Sequence, residues 1–233
     1  MTATTMIFLH GPGQTPPNWQ GVIDHIDPEQ PMFAPWIKGM KPTDSDEFEM
    51  AAAAADVANT VEMRGLEQID LIGISLGGMV ALRAAADYPK MIRHLIVMSV
   101  PVTPPASQLK AQRLMLKLMP ESQFKDAPKA QVLAALDALI GADMHDFLKK
   151  ISAPTLVITA EGDANSNSGA PTLIEQTNGQ LVSVPYDKPN LLDAPTPVQT
   201  RVAQLVMNFC ADRPLDTPIE KHTDEGEEGS SAE

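Results

Sequence analysis

Apolar positions along the chain fall into two recurring patterns. Short runs of consecutive apolar residues, bounded by Gly, Pro or polar residues, alternate with longer stretches in which apolar residues return every three or four positions. The short runs predict buried strands over 4–9, 31–36, 69–72, 94–99, 154–159 and 180–184. The longer stretches predict helices over 47–64, 77–88, 107–119, 129–140 and 198–209, with a further helix start near Pro17, Asn18 and Trp19. In the first of these, Met50, Ala54, Val57 and Val61 are spaced 4, 3 and 4, with Ser45 a cap and Gly65 a stop. Strands alternating with helices call for a mostly parallel sheet covered by helices on both faces.

Pro101, Pro104 and Pro105 break this alternation and open a helical insert over 101–150, divided by Pro120 and Pro128. Its stripe Leu109, Leu116 and Met119 either packs the insert onto the sheet, as amphipathic helices do, or faces a bound acyl chain.

Length and charge narrow the picture. A chain of 233 residues suits one α/β domain, here 1–211, with a core of ordinary size. Net charge is −13, of which 212–233 carries −6 (8 acidic, 2 basic residues). That tail lacks apolar periodicity and reads as a solvated acidic segment, with a protein-binding role as the other option. An acidic body argues against nucleic acid and membranes as partners. Cys210 is the only cysteine, so a disulfide framework is excluded, and its place among Val202, Leu205, Val206 and Phe209 predicts core packing. Neither a signal peptide nor an apolar stretch of membrane-spanning length is visible, which makes cytoplasmic residence the expectation.

Candidate chemistry centres on Gly73-Ile74-Ser75-Leu76-Gly77. An apolar strand run leads into it and a helical pattern leaves it, the setting of a nucleophile elbow. A turn this tight leaves no space for a Cβ at Gly73 or Gly77. It lifts the Ser75 hydroxyl beside the first N–H groups of the following helix, which favour negative charge. Without chemistry, the same residues would make a simple strand-to-helix turn.

Four anchors together resemble the α/β-hydrolase superfamily from about residue 5 to 209: His10-Gly11 after the first strand, the Ser75 elbow, 154–158 with Gly162-Asp163, and Asp193-Ala194-Pro195. The resemblance implies a three-layer α/β-hydrolase fold with a short helical lid at 101–150. It implies Ser75 as nucleophile, Asp163 as the acid that orients the base, and Leu76 as an oxyanion N–H donor. Asp163 has a second reading as the cap of a helix. The chain departs from the family pattern at the base. The loop 185–195, where relatives carry the catalytic histidine, contains none, and the position falls near Lys188, or Asp187 with a one-residue gap. Lys188 could substitute only if burial made its amine neutral. Pro12 stands where relatives supply the second oxyanion N–H and has none to give, leaving Gly13 as the substitute donor. His10 is expected to hold its loop in place, and Trp36 occupies a position where relatives carry an acid.

In a well-studied serine protease, loss of the catalytic histidine lowers turnover on the order of 10⁶-fold. Two functions therefore compete: a carboxylic ester hydrolase with an impaired or non-standard base, and an inactive homologue that binds a small apolar ligand or a protein partner. An acyltransferase on the same elbow is a third, weaker option. No histidines share metal-ligand spacing, and the Gly11-Pro12-Gly13 loop lacks a dinucleotide or phosphate pattern, so neither a metal nor a cofactor is expected.

Overall fold

The computed structural model describes residues 3–44, 48–102, 106–124, 128–140 and 144–217. The Ser45 cap and most of the acidic tail lie outside the described residues. Six strands, β1 (Thr5–Leu9), β2 (Met32–Phe33), β3 (Ile69–Ile74), β4 (Ile92–Met98), β5 (Thr155–Ala160) and β6 (Gln180–Val184), form one sheet. Its order is β2-β1-β3-β4-β5-β6 and every pairing is parallel. The chain runs outward from β1 to β2 and then returns to the other side of β1 at β3. That reversal leaves a crevice between the C-terminal ends of β1 and β3, where ligands bind in open α/β sheets.

Side chains alternate faithfully across the sheet. Ile7, Leu9, Leu71, Leu95, Val97 and Val157 face one core, while Met6, Phe8, Ile72, Ile96, Met98 and Ile158 face the other. The first core is covered by α2 (Met50–Met63), α3 (Leu76–Asp87), α6 (His145–Leu148) and α7 (Ala164–Thr177). The second is covered by α1 (Gln20–Ile23), the preceding Trp19, and α8 (Thr196–Cys210). Cys210 is buried in this second layer, where loss of hydration pushes its thiol well above the ordinary 9.0. The insert forms α4 (Ala106–Leu118) and α5 (Lys129–Leu139), tied by an Arg113–Asp137 ion pair.

Two local features differ from expectation. Helix α2 is capped by Glu49, whose carboxylate accepts the Ala51 and Ala52 N–H groups at 2.8 and 2.6 Å. At its other end Leu66 N–H bonds Val61 O and Gly65 N–H bonds Glu62 O, with Gly65 at φ 65°. Helix α7 has no counterpart among the predicted elements. Its sequence is rich in Ser and Asn and holds Pro171 in its interior, so intrinsic propensity argues against it. It forms because Asp163 caps its start, Asn178 ends it in the left-handed conformation, and Ala170 and Leu173 bury against the first core. No described helix is long and apolar enough to cross a membrane.

Candidate active site

The elbow joins β3 to α3 directly. Ser75 sits at φ 51° and ψ −117°, in a region that side-chain-bearing residues rarely adopt. Two bonds impose it: Ser75 N–H donates to Met98 O on β4 at 2.8 Å, and Ser75 O accepts the Met79 N–H of α3 at 3.0 Å. A Cβ on Gly77 would collide with the carbonyl oxygens of Leu9 and His10, and one on Gly73 with the Gly77 carbonyl. The glycines thus let the end of β1 touch the first turn of α3. Leu76 is buried at the first position of α3, where an N–H has no acceptor within the helix.

Above the C-terminal strand ends lies a cleft of about 450 Å³. Ser75 and Asp163 both line it, together with Leu109, Gln112, Leu136 and Leu139 from the lid. Asp163 is buried at the N-terminus of α7, its Oδ1 accepting the Ser166 N–H at 3.2 Å. The same residue therefore lines the cleft and caps a helix. Leu109 and Leu116 also pack against the first core, so the lid stripe holds the insert down and, at Leu109, faces the cleft.

Lys188 and Gly13 are not among the cleft-lining residues. Lys188 is exposed, which removes the burial that a neutral amine would need. Pro12 and Gly13 are the middle of a tight turn closed by Gln14 N–H to Gly11 O at 3.3 Å, with Gly13 at φ 71°. Pro followed by a residue at positive φ is the signature of a type II turn. It directs the missing Cβ of Gly13 toward Val132 of α5, and leaves Gly11, Pro12 and Gln14 to face the cleft.

Residues with no obvious sequence signal tie the loop after β6 to the cleft. Gln14 accepts the Gly11 N–H through Oε1 at 2.7 Å and donates through Nε2 to Asn190 Oδ1 at 3.0 Å. Asn190 also accepts the Leu192 N–H at 3.1 Å and donates to Asp193 at 2.6 Å. Ser99, at φ 50°, donates its hydroxyl to Pro189 O at 2.7 Å. These bonds draw the loop after β6 over the cleft, so that Pro189 and Asn190 line it. Only Asn190 was open to sequence reading, as an Asn starting a short turn. Gln14 and Ser99 show their role only through partners distant along the chain.

The described histidines lie elsewhere. His10 is fully buried, its Nδ1 bonded to Gly11 O at 3.0 Å and its Nε2 facing the Ile37 N–H at 3.4 Å. The ring packs edge-on to Trp36. Burial holds its pKa below the ordinary 6.5, the Gly11 bond opposing this in part. His145 opens α6, exposed and not among the cleft-lining residues.

His94 stands at the far end of the strands, in a cluster that periodicity does not reveal. Between Ile69 and Asp70 the β3–β4 register slips by one, making Arg93 an extra residue. Arg93 and His94 thereby both reach the fully buried Asp70. Arg93 Nε donates to Oδ1 at 2.8 Å and Nη2 to Oδ2, while His94 Nδ1 pairs with Oδ1 at 3.0 Å. Ligand-type atoms of Asp70, His94 and Cys210 lie within 4.8 Å of one another. The Arg93 guanidinium already covers both oxygens of Asp70, so the carboxylate is committed to a cation of the chain itself.

Comparison with known proteins places this geometry in a family. The sequence profile described as alpha/beta hydrolase fold matches residues 4–135. A 2-hydroxymuconate semialdehyde hydrolase of Pseudomonas sp. (strain CF600) is 30% identical over 108 residues, covering 42% of this chain and 38% of that protein. A pyrrolizixenacetamide deacetylase of Xenorhabdus hominickii is 27% identical over 96 residues, covering 40% and 36%. The match spans only 28% of the uncharacterized mycobacterial protein Rv2715, at 27% identity. Among solved structures, MGS-M2, an alpha/beta hydrolase enzyme from a Medee basin deep-sea metagenome library, superposes with TM-score 0.78 at 18% identity, covering 96% of this chain and 93% of that one. A thermophilic esterase of Thermogutta terrifontis superposes with TM-score 0.71 at 22% identity, covering 93% and 92%. With an all-parallel six-stranded sheet and a serine elbow at its crevice, the chain belongs to the α/β-hydrolase fold family.

Proposed function

We propose that the protein is a serine-type hydrolase of small-molecule ester bonds that works without a cleft histidine, and therefore slowly. The observation that carries this is the strained Ser75 backbone, held at positive φ with its residue facing the cleft. Such a conformation costs about 1–3 kcal/mol and persists where the surroundings enforce it. Ser75 attacks the ester carbonyl and gives its proton to solvent water, while the Leu76 N–H meets the developing oxyanion. The ester C–O bond then breaks, the alcohol leaves protonated by water, and a second water hydrolyses the acyl-serine; Asp163 lines the same cleft. Pro12 offers no N–H, and the Gly11 N–H is taken by Gln14, so the oxyanion receives fewer donors than a full site provides. One missing donor lowers turnover roughly 10²–10³-fold. The printed names of two relatives, a hydrolase and a deacetylase, agree with a hydrolytic reaction.

A second reading is a binding protein that has lost turnover. It is favoured by the cleft lining, where no described residue is a histidine, lysine or arginine. Mass spectrometry after exposure to a fluorophosphonate, alongside hydrolysis of a short aryl ester, separates the two. A single adduct on Ser75 and slow hydrolysis, both absent in Ser75→Ala, support the hydrolase. Equal hydrolysis by wild type and Ser75→Ala, with no adduct, leaves the binding role.

A further inference from the structure

Among the described lining residues the cleft carries one charged side chain, Asp163, and no lysine, arginine or histidine. Asp163 is only 6% exposed. Its Oδ1 accepts the Ser166 N–H at 3.2 Å, and the residue lines the cleft. It takes part in none of the described ion pairs. The N-terminus of α7 offsets part of the burial penalty through its dipole. An enclosed carboxylate otherwise demands a cation or several donors.

Three of the neighbouring polar side chains are already engaged with the chain itself. The Gln14 amide donates to Asn190, the Asn190 amide to Asp193, and the Ser99 hydroxyl to Pro189 O. Leu109, Leu136 and Leu139 add an apolar surface to the same cleft. The space beside Asp163 thus presents an anion next to an aliphatic surface, inside a chain of net charge −13 that draws cations toward it. We infer that the cleft binds a small organic cation, its primary ammonium on Asp163 and its aliphatic body against Leu109, Leu136 and Leu139. A primary ammonium suits the site better than a quaternary one. It donates hydrogen bonds to the carboxylate, and the described lining holds no aromatic face for cation–π contact. An anionic ligand meets repulsion with no cation to relieve it. This inference concerns occupancy of the cleft and stands apart from turnover by Ser75.

The test is calorimetric titration of the full chain with hexylammonium, 1-hexanol and hexanoate at equal ionic strength and pH 7. The ammonium is expected to bind about tenfold or more tighter than the alcohol, as a charge-assisted hydrogen bond implies, with hexanoate weaker than both. Asp163→Asn keeps a good helix cap while removing the charge, and should bring ammonium and alcohol to equal affinity. Leu114→Gln, on the outer face of the lid, should leave the preference intact. As a readout independent of any variant, hexylammonium should shift the Ser166 and Ser75 amide resonances of the wild type. Equal affinity for alcohol and ammonium, no ammonium binding, a preference that survives Asp163→Asn, or unmoved Ser166 and Ser75 resonances would each overturn the inference.

Discussion

Ser75 and His10 follow neighbouring strands of the sheet, and each trades stability for position. Ser75 is held at φ 51° by bonds to β4 and α3, so a residue without a Cβ would relax there. Ser75→Gly should raise the unfolding free energy by about 1 kcal/mol, because relief of strain exceeds the added chain entropy of glycine. Denaturant midpoints measure this, and the variant should lose any fluorophosphonate adduct. Burial keeps His10 in the neutral form, its Nδ1 bonded to Gly11 O and its Nε2 facing the Ile37 N–H. Its folded pKa lies below the ordinary 6.5, so the unfolded chain takes up a proton first as pH falls. Stability contributed by the neutral ring is complete above 6.5 and declines from there toward the lowered folded value. Comparing the pH dependence of unfolding with that of His10→Gln, which lacks a titrating ring, should show this part of the slope vanish.

Among elements, the junction of β1 with α3 is tightly constrained. Gly77 brings the first turn of α3 against the Leu9 and His10 carbonyls, and no side chain can yield there because the obstacle is backbone. Gly77→Ala should cost about 3 kcal/mol, the upper part of the usual overpacking range, and should displace Ser75 from the cleft. Thermal unfolding together with fluorophosphonate labelling checks both effects. Helix α7 marks the other side of element-level reading. Its Asn, Ser and Pro171 conceal it from propensity, whereas Asp163 as its cap and Leu173 in the core secure it. A buried carboxylate in the cleft and a helix start turned out to be the same residue.

At the scale of the molecule, the two ends of the sheet do different work. The C-terminal ends carry the cleft; near the other end, Asp70 gathers Arg93 and His94, and these reach the segment after α8. Arg93 donates to the Cys210 carbonyl at 3.0 Å and His94 Nε2 pairs with Asp212 at 3.3 Å. Asp70→Ala would leave Arg93 and His94 without their shared partner. With Asp70 fully enclosed and Arg93 about a third exposed, the loss should be about 3 kcal/mol, the low end for a broken buried pair. Urea unfolding should register it, while reactivity of Ser75, at the opposite end of the strands, stays unchanged.

How much of this was legible in the sequence follows from the range of the forces involved. Local pattern determined the strands, most helices, the lid insert and the elbow, because periodic burial and tight-turn sterics act within a few residues. It also determined that no histidine follows the last strand before α8, a plain matter of residue identity. The register slip that turns Arg93 toward Asp70, and the Gln14–Asn190 and Ser99–Pro189 bonds that close the cleft, join residues up to 176 positions apart. Only the tertiary structure decided those, since hydrogen bonds across the fold depend on which ends the sheet order brings together. For the same reason Lys188, plausible by counting along the loop, is exposed and not among the cleft-lining residues, while Asn190 two residues later lines it.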